Sequence, residues 1–229
     1  MAKADFVRVM FNDISHKYDL LNDVLSLGTH RLWKKKFVNL VLKQNPKTAL
    51  DCATGTGDIA FKLKESCAGK VVGVDFSKGM IDFAKERGAL NPLPVEFKVA
   101  DIQKLPFSDK AFDAATISFG IRNVENLDLG LKELSRVSRG VYILEFGQPK
   151  NTLFKKFYFL MLKMYVPLFG LISKRKDAYE YLISSSETFP SSESFVEIMK
   201  KNMSFKNYGY IPVFGGIAYI YFAHNMDSK

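Results

Sequence analysis

The stretch Leu50-Asp51-Cys52-Ala53-Thr54-Gly55-Thr56-Gly57-Asp58 restricts the fold more than any other part of the chain. It follows a short β-prone run and opens an apolar-periodic helix, an order of elements that presents backbone N–H groups to a ligand. Farther on, Val71-Val72-Gly73-Val74-Asp75 reads as a second strand that ends in a carboxylate. A doubly wound α/β sheet grips an adenosine-containing cofactor with this pairing: the glycines allow a tight turn and close approach, and the acid accepts hydrogen bonds from ribose hydroxyls.

The remaining pattern extends that sheet. Strands are expected at 48–52, 70–75, 95–99, 112–118 and 140–146, with helices at about 57–66, 77–87 and 124–137 and Ser77 as an N-cap. Strands separated by helices need crossover connections and so form a parallel sheet, with its ligand crevice at the carboxyl ends where the first and fourth strands diverge. A helix over about 191–203 precedes two strands, Phe205 to Val213 and Ile217 to His224, joined by Phe214-Gly215-Gly216. So short a link makes an antiparallel hairpin. The expected fold is α/β, a Rossmann-like seven-stranded sheet, mostly parallel, of the kind associated with S-adenosyl-L-methionine-dependent methyltransferases.

Within the loop, Asp51-x-Ala53-x-Gly55-x-Gly57 differs from the G-x-G-x-x-G of dehydrogenases. Its acid suits the amino group of a methionine moiety, a role that a pyrophosphate does not require. No Lys-Ser or Lys-Thr follows, which argues against a nucleoside triphosphatase. Asp101, straight after the third strand, supplies a polar group for an adenine amino group; its bland alternative is a loop cap. No metal ion enters the reading.

The 229 residues divide into an amino-terminal helical substrate cap (1–45), a cofactor-binding core (46–147), an apolar helical insertion (148–204) and a terminal hairpin (205–229), all in one domain. Asn151 to Ser173 is the most apolar part, but Lys155, Lys156, Lys163, Pro167 and Gly170 interrupt it, so a helix lying on an apolar surface fits better than a membrane span. A sheet-covering crossover helix is the simpler reading of that stretch. Lys174-Arg175-Lys176 follows, and the net charge is +9, which suits an anionic surface or a basic solvated exterior. Cys52 and Cys67 form no disulfide framework, and Met1 to Lys17 lacks a signal-peptide core, so a cytoplasmic protein with reduced thiols is expected.

Taken together, these stretches resemble the ubiquinone/menaquinone biosynthesis C-methyltransferase family over nearly the whole chain. The resemblance rests on Tyr18-Asp19-Leu20-Leu21-Asn22-Asp23 with Ser26 and Gly28, on His30-Arg31-Leu32-Trp33-Lys34, and on the Leu50 to Asp58 loop. Leu105-Pro106-Phe107, Thr116 to Val124 and Leu144-Glu145-Phe146 complete it. It implies cofactor contacts at Thr56, Asp75, Asp101, Ile102 and Ser118, which join Asp51, Gly55 and Gly57 from the residues themselves. It also implies methylation of a ring carbon of a polyprenylated quinol, either demethylmenaquinol or 2-polyprenyl-6-methoxy-1,4-benzoquinol.

Arg122, Asn123, His30 and Tyr18 are the candidates for handling the quinol proton, with Arg122 at the centre of the network that the resemblance implies. For His30, a helix-end histidine satisfied by its surroundings is the alternative. The family's longer Lys-Pro-Gly-Gly loop is shortened here to Ser138-Arg139-Gly140, and Thr54 replaces a smaller residue. Peripheral contact with the inner face of the cytoplasmic membrane is expected, with no nucleic-acid partner; a homodimer is left open. The competing readings are a methyltransferase for another apolar small molecule and a non-catalytic cofactor- or RNA-binding protein.

Overall fold

The computed structural model describes residues 26, 28–66, 69–91, 93–173 and 176–225, with side chains at 165–180 and 182 outside the description. Tyr18, Cys67 and the Lys174-Arg175 step lie outside the described residues.

Seven strands form one sheet in the order β3-β2-β1-β4-β5-β7-β6. They are β1 (Thr48–Cys52), β2 (Lys70–Asp75), β3 (Glu96–Val99), β4 (Ala114–Ser118), β5 (Gly140–Phe146), β6 (Asn207–Val213) and β7 (Ala218–His224). β1 to β5 pair in parallel, and β7 runs antiparallel against both β5 and β6. The chain order reverses between β1 and β4, which makes their carboxyl ends the switch point.

Seven helices flank the sheet among the described residues: α1 (His30–Leu42), α2 (Asp58–Ser66), α3 (Lys78–Ala89), α4 (Leu127–Val137), α5 (Thr152–Ser173), α6 (Lys176–Thr188) and α7 (Glu193–Asn202). Two-residue alternation along β5 sends Tyr142, Leu144 and Phe146 into the core beneath α1, α2, α3 and α5, and Val141 and Ile143 into the core beneath α4 and α7. With both faces covered, these strands carry nearly unbroken apolar runs.

Local chemistry sets the boundaries. Ser77 caps α3 by accepting from Met80 N at 3.2 Å. Asn126 caps α4 through Leu129 N at 3.1 Å, so that helix starts later than the expected 124, after a 3₁₀ turn at Ile121–Asn123. Phe112 is only an isolated bridge to Ser138, and β4 begins at Ala114. The shortened Ser138-Arg139-Gly140 link lies at the amino end of β5, away from the switch point. α6 lies inside the expected helical insertion (148–204), in which no separate helix was placed over its serine-rich stretch.

α5 presents two faces. Tyr158, Phe159 and Leu162 are buried in the core, whereas Leu153, Phe157, Leu160, Met161 and Met164 are exposed at helical spacing. The sheet-covering role is therefore real, and an apolar stripe remains outside it. No helix among the described residues is long and apolar enough to cross a membrane.

Two glycines separate backbone strain from steric demand. Gly57 has φ 89°, and a Cβ there would lie 2.8 Å from Phe61 and 2.9 Å from Phe97, two rings already packed edge to face. Gly28 has φ 75° with open space around it. Gly57→Ala is expected to cost about 1–3 kcal/mol and clearly more than Gly28→Ala in urea unfolding, because the latter meets only the backbone penalty; equal losses would contradict this packing account.

Candidate active site

The loops after β1 and β4 meet at the switch point. Ala53 (φ 48°) and Phe119 (φ 56°) both adopt the left-handed region that side-chain-bearing residues avoid. A Cβ at Gly120 would sit 2.5 Å from Ala53 Cβ, so this approach requires glycine. Packing holds the strained Phe119: its ring centroid lies 4.5 Å from that of Phe146 and 6.5 Å from that of Trp33 on α1. Trp33 thereby joins the amino-terminal motif to the Thr116–Val124 motif.

Ala53 and Phe119 line two cavities. The larger, of ≈ 860 Å³ including open solvent, is bordered by Gly55, Asp75, Asp101, Ile102 and Asn123. The smaller, of ≈ 320 Å³, is bordered by Lys34, Asp51, Thr54, Thr56, Asp58 and Ser118. Of the eight expected cofactor contacts, Gly57 alone lines neither cavity, consistent with its packing against Phe61 and Phe97.

Asp51 is 1% exposed, an expensive place for a carboxylate. Its register partner on β4, Thr116, donates to Oδ1 at 2.8 Å, and Thr54 donates to Oδ2 at 2.6 Å. Gly73, opposite Asp51 on β2, makes room for this: a Cβ there would lie 2.9 Å from Thr54 Oγ1. The departure at Thr54 thus supplies a hydroxyl that satisfies the buried acid. Burial still pushes the Asp51 carboxyl up to about 6, against the two hydroxyl bonds and the nearby Lys34.

Asp75 closes β2. Its Oδ2 accepts from Gly55 N at 3.0 Å and its Oδ1 from Ser77 N at 2.9 Å, so it shapes the glycine loop while facing the larger cavity. Burial raises it to about 6 as well. Asp101 is exposed and accepts from Gln103 N at 2.9 Å; it both caps its turn and borders the larger cavity. Among the described residues, Ser118 Oγ is buried without a hydrogen-bond partner.

The proton-handling candidates separate. Asn123 borders the larger cavity, and its Oδ1 accepts from Tyr181 OH on α6 at 3.1 Å. Arg122 borders neither cavity; it is 5% exposed, and its Nη1 donates to Glu145 Oε1 at 2.5 Å and to Phe119 O at 3.0 Å. Glu145, fully buried on β5, is raised by burial and pulled back by Arg122. His30 is buried beside Ser26, with Nδ1 3.2 Å from its Oγ, and also borders neither cavity. Tyr18 lies outside the described residues.

Sequence reasoning missed Thr116 as the support for Asp51, Glu145 as the partner of Arg122, and Tyr181 altogether, and it named Lys34 only as part of the amino-terminal motif, not as a site residue. The signals were a carboxylate inside each of two apolar strands, which demands a partner that sequence spacing does not name.

The ubiE/COQ5 methyltransferase family matches residues 1–225. The chain belongs to this family. It is 41% identical over 226 residues to the ubiquinone/menaquinone biosynthesis C-methyltransferase UbiE of Bdellovibrio bacteriovorus, covering 95% of this chain and 94% of that one. Identity to UbiE of Geotalea uraniireducens is 38%, with 96% of each chain covered, and to UbiE of Rickettsia massiliae 40%, with 97% and 93% covered.

Among solved structures, an S-adenosylmethionine-dependent methyltransferase from Thermotoga maritima matches with a TM-score of 0.66 at 18% identity, over 96% of this chain and 99% of that one. Magnesium protoporphyrin IX methyltransferase from Synechocystis, solved with bound cofactor, matches with a TM-score of 0.66 at 14% identity, over 99% and 98%. These two establish the fold as that of class I methyltransferases.

S-adenosyl-L-methionine fits the donor set of this family member. Acids at Asp75 and Asp101 border the larger cavity, and the smaller combines Asp51 with the unpartnered Ser118 hydroxyl.

Raised carboxyls favour folding below their unfolded value of 3.8 and lose that contribution as pH rises through about 6. Ligand binding runs the other way, because only the ionised acids attract an ammonium group. Calorimetry from pH 8 to 5 should show affinity for S-adenosyl-L-methionine falling below about pH 6. Thr54→Val, which removes a bond to the Asp51 carboxylate, should move the Asp51-linked part of that fall upward by about one pH unit. A flat profile in both proteins would contradict the assignment.

Proposed function

We propose that this chain transfers the methyl group of S-adenosyl-L-methionine to a ring carbon of a polyprenylated quinol, in the formation of menaquinone or ubiquinone. The observation that carries the reading is the near-full-length similarity to UbiE proteins, joined to a site in which the amino-terminal motif packs directly on the switch-point turn through Trp33 and Phe119.

The cofactor supplies an activated methyl on a sulfonium. The chain must hold the ring in line with it, keep water out and let the ring become electron-rich as a quinol hydroxyl loses its proton. Transfer forms the carbon–methyl bond, leaves the sulfur as a thioether and releases the ring proton.

Among the described residues, Asn123 is the expected proton-handling residue that borders a cavity, and it is our candidate for contact with the quinol. Arg122, clamped by Glu145 and Phe119 O, fixes the 3₁₀ turn that carries Asn123. In this reading Arg122 acts chiefly as a positioning residue and as a fixed cation behind the turn.

The isoprenoid tail gives the exposed stripe of α5 a role. Each buried CH₂ is worth about 0.8 kcal/mol, so a long tail dominates binding. The stripe, together with the +9 charge, supports peripheral attachment to an anionic membrane surface, from which the substrate is drawn.

Incubation with methyl-labelled S-adenosyl-L-methionine and a demethylated polyprenyl quinol should place label in the ring. Label in RNA, or in no acceptor at all, would sink the reading. The triple variant Phe157→Ser, Leu160→Ser, Met164→Ser changes exposed positions only and should lose flotation with vesicles containing anionic lipid; unchanged flotation would return the stripe to a purely structural role.

A further inference from the structure

Lys34 reaches the site from α1, outside the glycine loop and the strand ends that usually define such a pocket. It is 5% exposed and borders the smaller cavity together with Asp51, Thr56 and Ser118. Its Nζ donates to Asp58 Oδ2 at 3.0 Å, while Arg87 Nη2 donates to Asp58 Oδ1 at 2.9 Å. Asp58 is therefore served by two cations, and Asp58 takes only one of the three donors of the Lys34 ammonium.

The charge of Lys34 also acts on Asp51, whose carboxyl it draws downward against the effect of burial. One small cavity thus carries a buried cation, a buried carboxylate and the unpartnered hydroxyl of Ser118. That set does not suit a simple anion, which Asp51 would repel, or a simple cation, which Lys34 would repel. It suits a zwitterion whose two charges are a few bonds apart, and the amino-acid arm of S-adenosyl-L-methionine is one.

We propose that Lys34 binds the α-carboxylate of S-adenosyl-L-methionine, with Asp51 taking the α-amino group, so that the amino-terminal helix completes the cofactor site. The inference rests on the S-adenosyl-L-methionine reading and adds the orientation of its amino-acid arm. It also gives the Lys34–Asp58–Arg87 cluster a purpose beyond clamping α1 to α2: Asp58 aims the ammonium, and Arg87 balances Asp58. Cofactor binding and the docking of α1 against the core are then coupled through one side chain.

The test compares wild type and Lys34→Met by calorimetry with three ligands. S-adenosylhomocysteine has both charges, its decarboxylated analogue keeps only the amine, and methylthioadenosine lacks the whole arm. Loss of a charge-assisted bond should weaken S-adenosylhomocysteine about 10- to 100-fold and leave the other two unchanged. Lys34→Arg should restore part of the loss. Unchanged S-adenosylhomocysteine binding, or an equal fall for all three ligands, would overturn the proposal in favour of a clamp alone.

Lys34→Gln covers the case in which Lys34→Met fails to fold. It keeps a polar head for Asp58 but removes the charge, so the preference for S-adenosylhomocysteine over its decarboxylated analogue should shrink; an unchanged preference would overturn the proposal. Failure of the wild type to bind S-adenosylhomocysteine would instead overturn the cofactor reading itself.

Discussion

The close approach of the turns after β1 and β4 is the constraint on which the site depends. Two residues with side chains, Ala53 and Phe119, are held at positive φ, and Gly120 packs where no Cβ could stand beside Ala53. Strain of this kind persists only where the surroundings over-determine it. Here Phe119 is stacked on Phe146, covered by Trp33 and tied through its carbonyl to Arg122. The same two residues divide the crevice into a larger and a smaller cavity, each with its own polar chemistry.

Charge in or near the core is the second organising element, and three of the acids are met in different ways. Asp51 is met by neutral hydroxyls, which leaves it close to its protonation point and able to respond to a ligand. Glu145 is met by Arg122, a pairing that spends both groups on holding the turn. Asp58 is met by Lys34 and Arg87; burial works against its charge, but the two cations outweigh that and bring its carboxyl down to about 2. Of these three acids, only Asp51 has no cation bonded to it.

Most of the scaffold was legible in the sequence because alternating apolar strands and capped helices report their own boundaries. β1, β2 and β5 fall where the strands were expected, and the short link before β7 forces an antiparallel hairpin. α6 escaped because serines favour bonding back to the local backbone, as Ser184 Oγ does to Tyr181 O at 3.1 Å, and helicity comes instead from burying Ile183 against the core. The candidate cofactor acids were legible from their positions within or just after strands. Their partners were not, since Thr116, Lys34 and Glu145 meet Asp51, Asp58 and Arg122 across strand pairing and helix docking that no local pattern encodes.

A crystal structure with S-adenosylhomocysteine tests the account most directly. It should place the adenine in the larger cavity beside Asp101 and Ile102, the ribose at Asp75, the sulfur between Ala53 and Phe119, and the amino-acid arm in the smaller cavity at Asp51. An arm lying outside the smaller cavity, or an adenine seated away from Asp101, would contradict the division of the crevice on which the functional reading stands.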